Sequence, residues 1–312
     1  MTDEQPIGFI GVGIMGAPMA RRLIAAGHRL IAFDRDQRAL QGLSAAAASA
    51  TDVRSATDVR EVADTAAIVL TSLPTPAALR EVTLGAGGLI HGTAVELLVD
   101  LSTVGSRAER EVAAGLLAQG IETVDAPVSG GAAGARAGTL TVMAAAKPSA
   151  LAQARALLDA FGKVFVVGDS PGQAQLLKLL NNMLSTTAFA ATCEAFVAGS
   201  RAGLDPSVML AVINAGSGRS GATLDKFPRQ VLPRTFDFGF PIAGVCKDIG
   251  LAVEECQALG VAMRVGAAVQ GLWNRAASAG GGPHDMTELI NYVEGWSAAM
   301  PGAPARGTNE DD

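Results

Sequence analysis

The sequence predicts an α/β N-terminal half built on a doubly wound parallel sheet, followed by an all-α C-terminal half. Three observations carry this expectation. Short β-rich runs alternate with helical segments rich in Ala, Leu, Glu or Arg as far as Val167, which is the pattern of βαβ units. A glycine-rich turn, Gly11-Val12-Gly13-Ile14-Met15-Gly16, separates the first β run from the first helical one. Beyond the Gly/Pro cluster at 168–172, β signals almost vanish.

Element by element, strands are predicted at 7–10, 30–33, 67–71, 98–101 and 122–125, with helices at 17–26, 37–47, 76–82 and 106–119 between them. Segments 139–144 and 164–167 add strands at the far end of the sheet. Residues 173–202 hold no proline and a single glycine, Gly199, so they read as one long helix. Further helices are expected at 206–215, 242–259, 266–279 and 285–297. The Pro-, Gly- and acid-containing stretch 300–312 is expected to be a disordered tail.

The length of 312 residues suits two domains that each bury a core, and an apolar content of 49% with 17% charged residues is that of a globular chain. A net charge of −6 argues against a nucleic-acid partner, because a phosphate backbone would be repelled. Cys193, Cys246 and Cys256 show no paired spacing and read as reduced thiols of a cytoplasmic protein. His28, His91 and His284 lack metal-ligand spacing, so no zinc site is expected. The acidic N-terminus does not read as a secretory signal, and no uncharged apolar run is long enough to span a bilayer. A cytoplasmic location with no membrane partner is therefore expected.

Each glycine of the turn has a physical task in a Rossmann-type dinucleotide fold. Gly11 permits the tight turn, Gly13 lets a pyrophosphate approach the backbone, and Gly16 lets helix and strand pack closely. The helix N-terminus offers unpaired N–H groups to phosphate. Asp34 ends the next predicted strand, where a carboxylate can accept hydrogen bonds from an adenosine ribose. The alternative is a glycine-rich turn that binds nothing; it would have to produce strand, turn, helix, strand and acid in this order by chance. Asp34 favours NAD over NADP because it repels a 2′-phosphate, whereas Arg35 could pair with that phosphate or stack on adenine. Val12, Ile14, Met15, Leu73 and Pro74 complete the expected cofactor contacts on this half.

Several separate motifs follow in order: GFIGVGIMGAPMARRLIAAGH at the start, VDLSTV at 99–104, DAPVSGG at 125–131, GTLTVMA at 138–144, GQAQLLKLLNN at 172–182 and CKDIGLA at 246–252. Together they resemble the β-hydroxyacid dehydrogenase family, which includes 3-hydroxyisobutyrate dehydrogenase and tartronate semialdehyde reductase. The resemblance covers about Ile7 to Val293. It implies a dinucleotide-binding domain over 1–168, a helical substrate and oligomerisation domain over 169–299, an active site in the cleft between them, and a homodimer or homotetramer. It also implies Lys178 as the catalytic lysine, and Ser129, Gly130, Gly131 and Asn182 as substrate-binding residues. Thr103 would lie beside the nicotinamide ribose and Lys247 over the cofactor, with Asp248 in a supporting role.

The residues themselves bear on these roles. Lys178 stands among Leu176, Leu177, Leu179, Leu180, Met183 and Leu184, and a helix apolar on every face is normally buried. A lysine there is paired, snorkelled or functional, and one whose charge is disfavoured can exchange a proton near neutrality. Asn182 follows one turn on and Gln175 precedes by three residues, so the three share a stripe. Local sequence alone leaves an ordinary salt-bridged lysine equally open. Ser129-Gly130-Gly131 could present N–H groups and a hydroxyl to a carboxylate, or be a plain turn. Thr103 could cap a helix, and Lys247 with Asp248 could be an exposed pair. The expected reaction is hydride transfer between NAD(P) and a small β-hydroxyacid or its semialdehyde, with Lys178 as general acid–base. The competing readings are an imine reductase-like NADPH enzyme, which usually carries Asp or Tyr in place of the lysine, and a non-catalytic dinucleotide-binding reader. Segment 214–225, rich in Gly and Ser, is expected to shape the pocket.

Overall fold

The computed structural model describes residues 5–44 and 53–299. The expected tail at 300–312 and the last residues of the helix expected at 37–47 fall outside them. The chain divides into two compact units. One runs to Leu180 and takes in Glu254–Val261; the other comprises Asn181–Val253 and the chain from Ala262 onward.

The first unit alternates strands and helices: β1 (Ile7–Ile10), α1 (Gly16–Ala25), β2 (Leu30–Phe33), α2 (Gln37–Ser44), β3 (Val53–Ser55), α3 (Val59–Ala63), β4 (Ile68–Thr71), α4 (Pro76–Leu84), β5 (Leu97–Asp100), α5 (Ser106–Leu117), β6 (Glu122–Asp125), β7 (Val128–Ser129), α6 (Gly131–Ala137), β8 (Leu140–Ala145), α7 (Pro148–Asp159) and β9 (Gly162–Gly168). The strands form one sheet in the order β3-β2-β1-β4-β5-β6-β8-β7, with β9 beside β8. Pairing is parallel from β3 to β6, and β8 runs antiparallel to β6 and β7. The predicted doubly wound sheet thus corresponds to β1–β6, and the far end is mixed.

The strands are apolar on both faces because both faces are covered. Phe9, Leu30, Leu70, Leu97 and Val99 enter one buried cluster, and Ile10, Ile31, Val69 and Leu98 enter the other. The period-2 alternation of a strand sends neighbouring side chains to opposite faces. Helix starts are set locally. Thr75 Oγ1 accepts from the Ala78 N–H at 3.1 Å with Pro76 at the first position of α4, and Asp58 caps α3 through the Glu61 N–H at 2.8 Å.

Beyond β9 the described chain is helical: α8 (Gln173–Arg201), α9 (Pro206–Ala215), a π-helical segment Ala222–Val231, α10 (Ile242–Ala258), α11 (Arg264–Ala276) and α12 (Leu289–Ala298). Phe189 of α8 packs against Phe227 at 5.6 Å and Trp273 at 6.2 Å between ring centroids, within an apolar core. Two sequence expectations shift. The helix expected to 279 stops at Ala276 and gives way to a π turn at Ala277–Gly281, where Gly280 has φ 93°. The last helix starts at Leu289 because Asp285 caps a 3-10 turn at Met286–Glu288. One expectation is corrected: α8 is not buried on every face. Leu177 is 41% and Leu184 66% exposed, while Ala174, Gln175, Lys178 and Leu179 are buried.

The C-terminal edge of the sheet holds three fully buried acids. Asp100 ends β5 and Asp125 ends β6, directly opposite in the ladder, and Glu109 lies in the first turn of α5. Asp100 Oδ1 accepts from Thr71 Oγ1 at 2.6 Å and Ser102 Oγ at 2.5 Å. Asp100 Oδ2 and both Glu109 oxygens meet no N–H or hydroxyl among the described residues. The Asp100 and Glu109 carboxyls share this buried edge, and burial is the first cause that raises both above the usual carboxylate range. Burial, then the charges of Asp100 and Asp125, push Glu109 well above the usual carboxylate range, which favours its neutral form. Burial also raises Asp125 to about 7, against the N–H groups it accepts.

Acids whose folded pKa is raised give stability that is complete below their unfolded pKa and is lost as pH rises towards the folded value. For Asp125 this window runs from 3.8 to about 7. Glu109→Gln keeps a donor towards Asp100 and has no proton to lose. Its melting temperature relative to the parent should rise steadily from pH 5 to pH 8, equivalent to up to about 1.4 kcal/mol per pH unit. Differential scanning calorimetry across that range checks this; a difference independent of pH would contradict a raised Glu109.

Candidate active site

Each predicted site residue has a defined local setting. The glycine turn links β1 to α1. Gly11 has φ 90°, and a Cβ there would lie 2.3 Å from the Ser72 carbonyl oxygen; a Cβ on Gly16 would lie 1.8 Å from the Gly11 carbonyl oxygen. Both positions therefore require glycine. A Cβ on Gly13 would meet nothing within 4 Å, which fits the middle glycine as the place where a pyrophosphate approaches the backbone. Val12 is buried, Met15 half-buried and Ile14 69% exposed. Asp34, just after β2, turns back onto this loop: Oδ2 accepts from the Val12 N–H and Oδ1 from the Asp36 N–H, each at 2.8 Å. The acid thus shapes the turn and stands beside it. Arg35 is solvent-exposed and lies 3.7 Å from Glu81.

The loops after β4 and β5 are stitched together. The Leu73 N–H, next to Pro74, donates to Ser102 Oγ at 2.8 Å, and the half-buried Thr103 follows Ser102. Gln175 of α8 then joins this loop to the helix. Its Oε1 accepts from the Val104 and Gly105 N–H groups at 2.9 and 3.2 Å, and its Nε2 donates to the Ser102 carbonyl and to Asp125 Oδ1, both at 3.0 Å. Asp125 Oδ2 accepts from the N–H groups of Gly172, Ala174 and Gln175 at 2.7, 3.0 and 3.2 Å. Those are donors that the first turn of a helix leaves unpaired. Ser129 ends β7, and Gly130 and Gly131, with φ 131° and 62°, carry the chain into α6.

Lys178 lies on α8 one turn after this anchor and is only 7% exposed. Asn182 is a further turn on, and its Nδ2 donates to Asp248 Oδ2 of α10 at 2.7 Å. Asp248, 2% exposed, also pairs through Oδ1 with Lys247 Nζ at 3.0 Å. Asp248 of this pair is therefore buried and Lys247 half-buried, not the exposed pair that local sequence left open. Sequence reasoning missed Asp100, Glu109 and Asp125 and gave Gln175 only a place on the stripe. The available signal was an acid closing each of two apolar strands. Among the described residues no group of His, Cys, Asp and Glu could hold a metal ion, and no helix is long and apolar enough to cross a membrane.

Comparison with known proteins supplies the chemistry that such a frame serves. The family pattern described as the NAD binding domain of 6-phosphogluconate dehydrogenase matches residues 6–168, and that described as NAD-binding of NADP-dependent 3-hydroxyisobutyrate dehydrogenase matches 172–293. The 3-hydroxyisobutyrate dehydrogenase of Pseudomonas aeruginosa is 36% identical over 288 residues, covering 89% of this chain and 93% of the relative. The 2-(hydroxymethyl)glutarate dehydrogenase of Eubacterium barkeri is 34% identical, covering 94% of this chain and 96% of the relative. The structure of Mycobacterium tuberculosis 3-hydroxyisobutyrate dehydrogenase with L-serine aligns with a TM-score of 0.82 at 30% identity, over 93% of this chain and 99% of that one. With both halves matched in order and relatives covered almost end to end, the chain belongs to the β-hydroxyacid dehydrogenase family and is an NAD(P)-dependent oxidoreductase acting on a hydroxyl group.

Proposed function

We propose that the protein interconverts a small β-hydroxyacid and its semialdehyde with Lys178 as the general acid–base group. The observation that carries this is the near-complete burial of Lys178 on α8, between an anchored first turn and Asn182. Residues 1–168 hold the dinucleotide: Gly11, Val12, Gly13, Ile14, Met15 and Gly16 cradle the pyrophosphate, Asp34 and Arg35 face the adenosine ribose, and Leu73, Pro74 and Thr103 flank the rest, with Lys247 of the helical half as a further cofactor contact. Bound NAD(P) supplies the hydride acceptor or donor. Residues 169–299 shape the substrate pocket.

The substrate carboxylate binds to the Ser129 hydroxyl and the N–H groups of Gly130 and Gly131. The positive φ at both glycines lets those N–H groups point to one side, where a side chain would otherwise stand. The hydroxyl lies between Lys178 and Asn182. In oxidation the Lys178 amine accepts the hydroxyl proton, and in reduction its ammonium returns that proton to the carbonyl oxygen. Asn182 is held at a fixed rotamer by Asp248 and orients the hydroxyl; Asp248 in turn places Lys247. Alignment and electrostatics are the protein's contribution to the reaction.

NAD is the preferred cofactor in this reading, because the Asp34 carboxylate stands at the turn and repels a 2′-phosphate. The protein works in the cytoplasm as a homodimer or homotetramer. Leu184, Leu204, Val208, Val212 and Val265, each more than half exposed in the helical unit, supply the apolar surface that a subunit contact would cover.

Lys178→Ala should lower kcat by about two to four orders of magnitude while the dissociation constant for the dinucleotide changes only a few-fold. Steady-state kinetics with 3-hydroxyisobutyrate and fluorescence titration of NADH check both; turnover close to the parent would remove Lys178 from the chemistry. Asp34→Ala should weaken NADH and narrow the gap between NADH and NADPH affinities, and titration with the two cofactors shows whether the gap is unchanged, which would remove Asp34 from the ribose contact.

A further inference from the structure

Lys226 lies in the π-helical segment Ala222–Val231, directly after the Gly- and Ser-rich stretch 214–225, and is 8% exposed. No carboxylate comes within salt-bridge distance of its ammonium among the described residues. Its neighbour Asp225 is directed to Arg229 at 3.3 Å. What Nζ does meet is Ser185 Oγ at a long 3.4 Å and the face of Phe238, 4.9 Å from the ring centroid. Burial lowers its pKa, and only the adjacent Asp225 acts in the other direction. Lys163 offers a contrast: it makes a similar contact over Phe165 at 4.8 Å, yet both residues are exposed and the ammonium keeps its water. Lys226 is a cation taken out of water without a counter-charge, which is unfavourable unless an anion completes the site.

Its position says where that anion belongs. Ser185 follows Asn182 by three residues and Lys178 by seven on α8. At 3.6 residues per turn, the three side chains emerge within about 60° of one another, and seven residues advance about 10 Å along the axis. The Lys226 ammonium therefore meets α8 on this stripe, at Ser185. Hydrogen-bond reach at each end leaves room for a short chain between the hydroxyl-bearing carbon and a second anionic group.

We propose that Lys226 and Ser185 form a second anion subsite that takes the distal carboxylate of a β-hydroxy dicarboxylate. This rests on the reading that places the hydroxyl at Lys178 and Asn182 and the first carboxylate at Ser129, Gly130 and Gly131. Lys226 is then a specificity-determining residue, with Ser185 as a second donor and Phe238 as the wall that holds the ammonium in place.

The test is steady-state oxidation of 2-(hydroxymethyl)glutarate and of 3-hydroxyisobutyrate by the parent, Lys226→Met and Lys226→Arg. The parent should favour the dicarboxylate by at least about tenfold in kcat/KM, Lys226→Met should remove most of that preference through KM, and Lys226→Arg should retain it, since one charge-assisted hydrogen bond commonly carries such a factor. A parent that oxidises the monocarboxylate as well as the dicarboxylate, or a Lys226→Met variant with the parent's ratio, overturns the subsite. If the Lys226→Met chain does not fold, Ser185→Asp replaces it: a carboxylate beside the ammonium should abolish the preference in the same way. A binding readout separates this proposal from the one it rests on. Glutarate should raise the melting temperature of the NADH-loaded parent and not that of the variant. If neither hydroxyacid is oxidised, the acid–base assignment fails, and the glutarate shift alone decides for or against the subsite.

Discussion

Asp125 holds the entrance of α8, and the placement of the buried Lys178 depends on that hold. One carboxylate oxygen accepts from the N–H groups of Gly172, Ala174 and Gln175; the other accepts from the Gln175 side chain. A helix N-terminus buried without acceptors would be strongly disfavoured, and a carboxylate is the acceptor that suits its partial positive charge. Gln175 extends the anchor to the loop after β5, so the strand end, the Thr103 loop and the first turn of α8 are tied by direct hydrogen bonds. Lys178 is three residues past Gln175 on a regular helix. Its backbone position therefore follows from the anchored start of its helix.

The same edge of the sheet explains why buried acids persist there. Parallel strands deliver Asp100 and Asp125 side by side at their C-terminal ends, where the loops that bind ligands emerge in open α/β sheets. Asp100 organises Thr71 and Ser102, and Ser102 in turn receives the Leu73 N–H. Adjacent ionised acids repel, and the raised Glu109 in its neutral form adds no further negative charge. The Asp100 side of the arrangement is a polar network through Thr71 and Ser102. Low dielectric makes such a network rigid when complete and destabilising when any member is missing.

How much of this was legible in the sequence follows from range. The termini of β1, β2 and β6, the N-terminus of α4 at Pro76 and the whole of α9 agree with expectation, because each is set by a cap, a proline or a run of a few residues. β3 and β7 escaped because strands of three and two residues leave no period to detect, and α6 because its Gly- and Ala-rich seven residues carry no polar alternation. The acid cluster was hidden for a different reason: Asp100 and Asp125 become partners only through strand register. Lys226 was hidden by the π-helical segment, whose Pro228 argues locally against any helix. Lys178 was visible as a charge in an apolar run, although its helix exposes Leu177 and Leu184, so the inference that every face is buried failed while the inference about the lysine's own face agreed.

The central claim is that the side-chain nitrogen of residue 178 moves the proton of the substrate hydroxyl. Chemical rescue tests it most directly: the Lys178→Ala enzyme is assayed for 3-hydroxyisobutyrate oxidation in the presence of methylamine and ethylamine at several pH values. The account predicts that the rate rises in proportion to the concentration of free amine, and therefore with pH, as an external base takes the vacated place. A rate indifferent to added amine, in a variant that still binds dinucleotide and substrate, would contradict it.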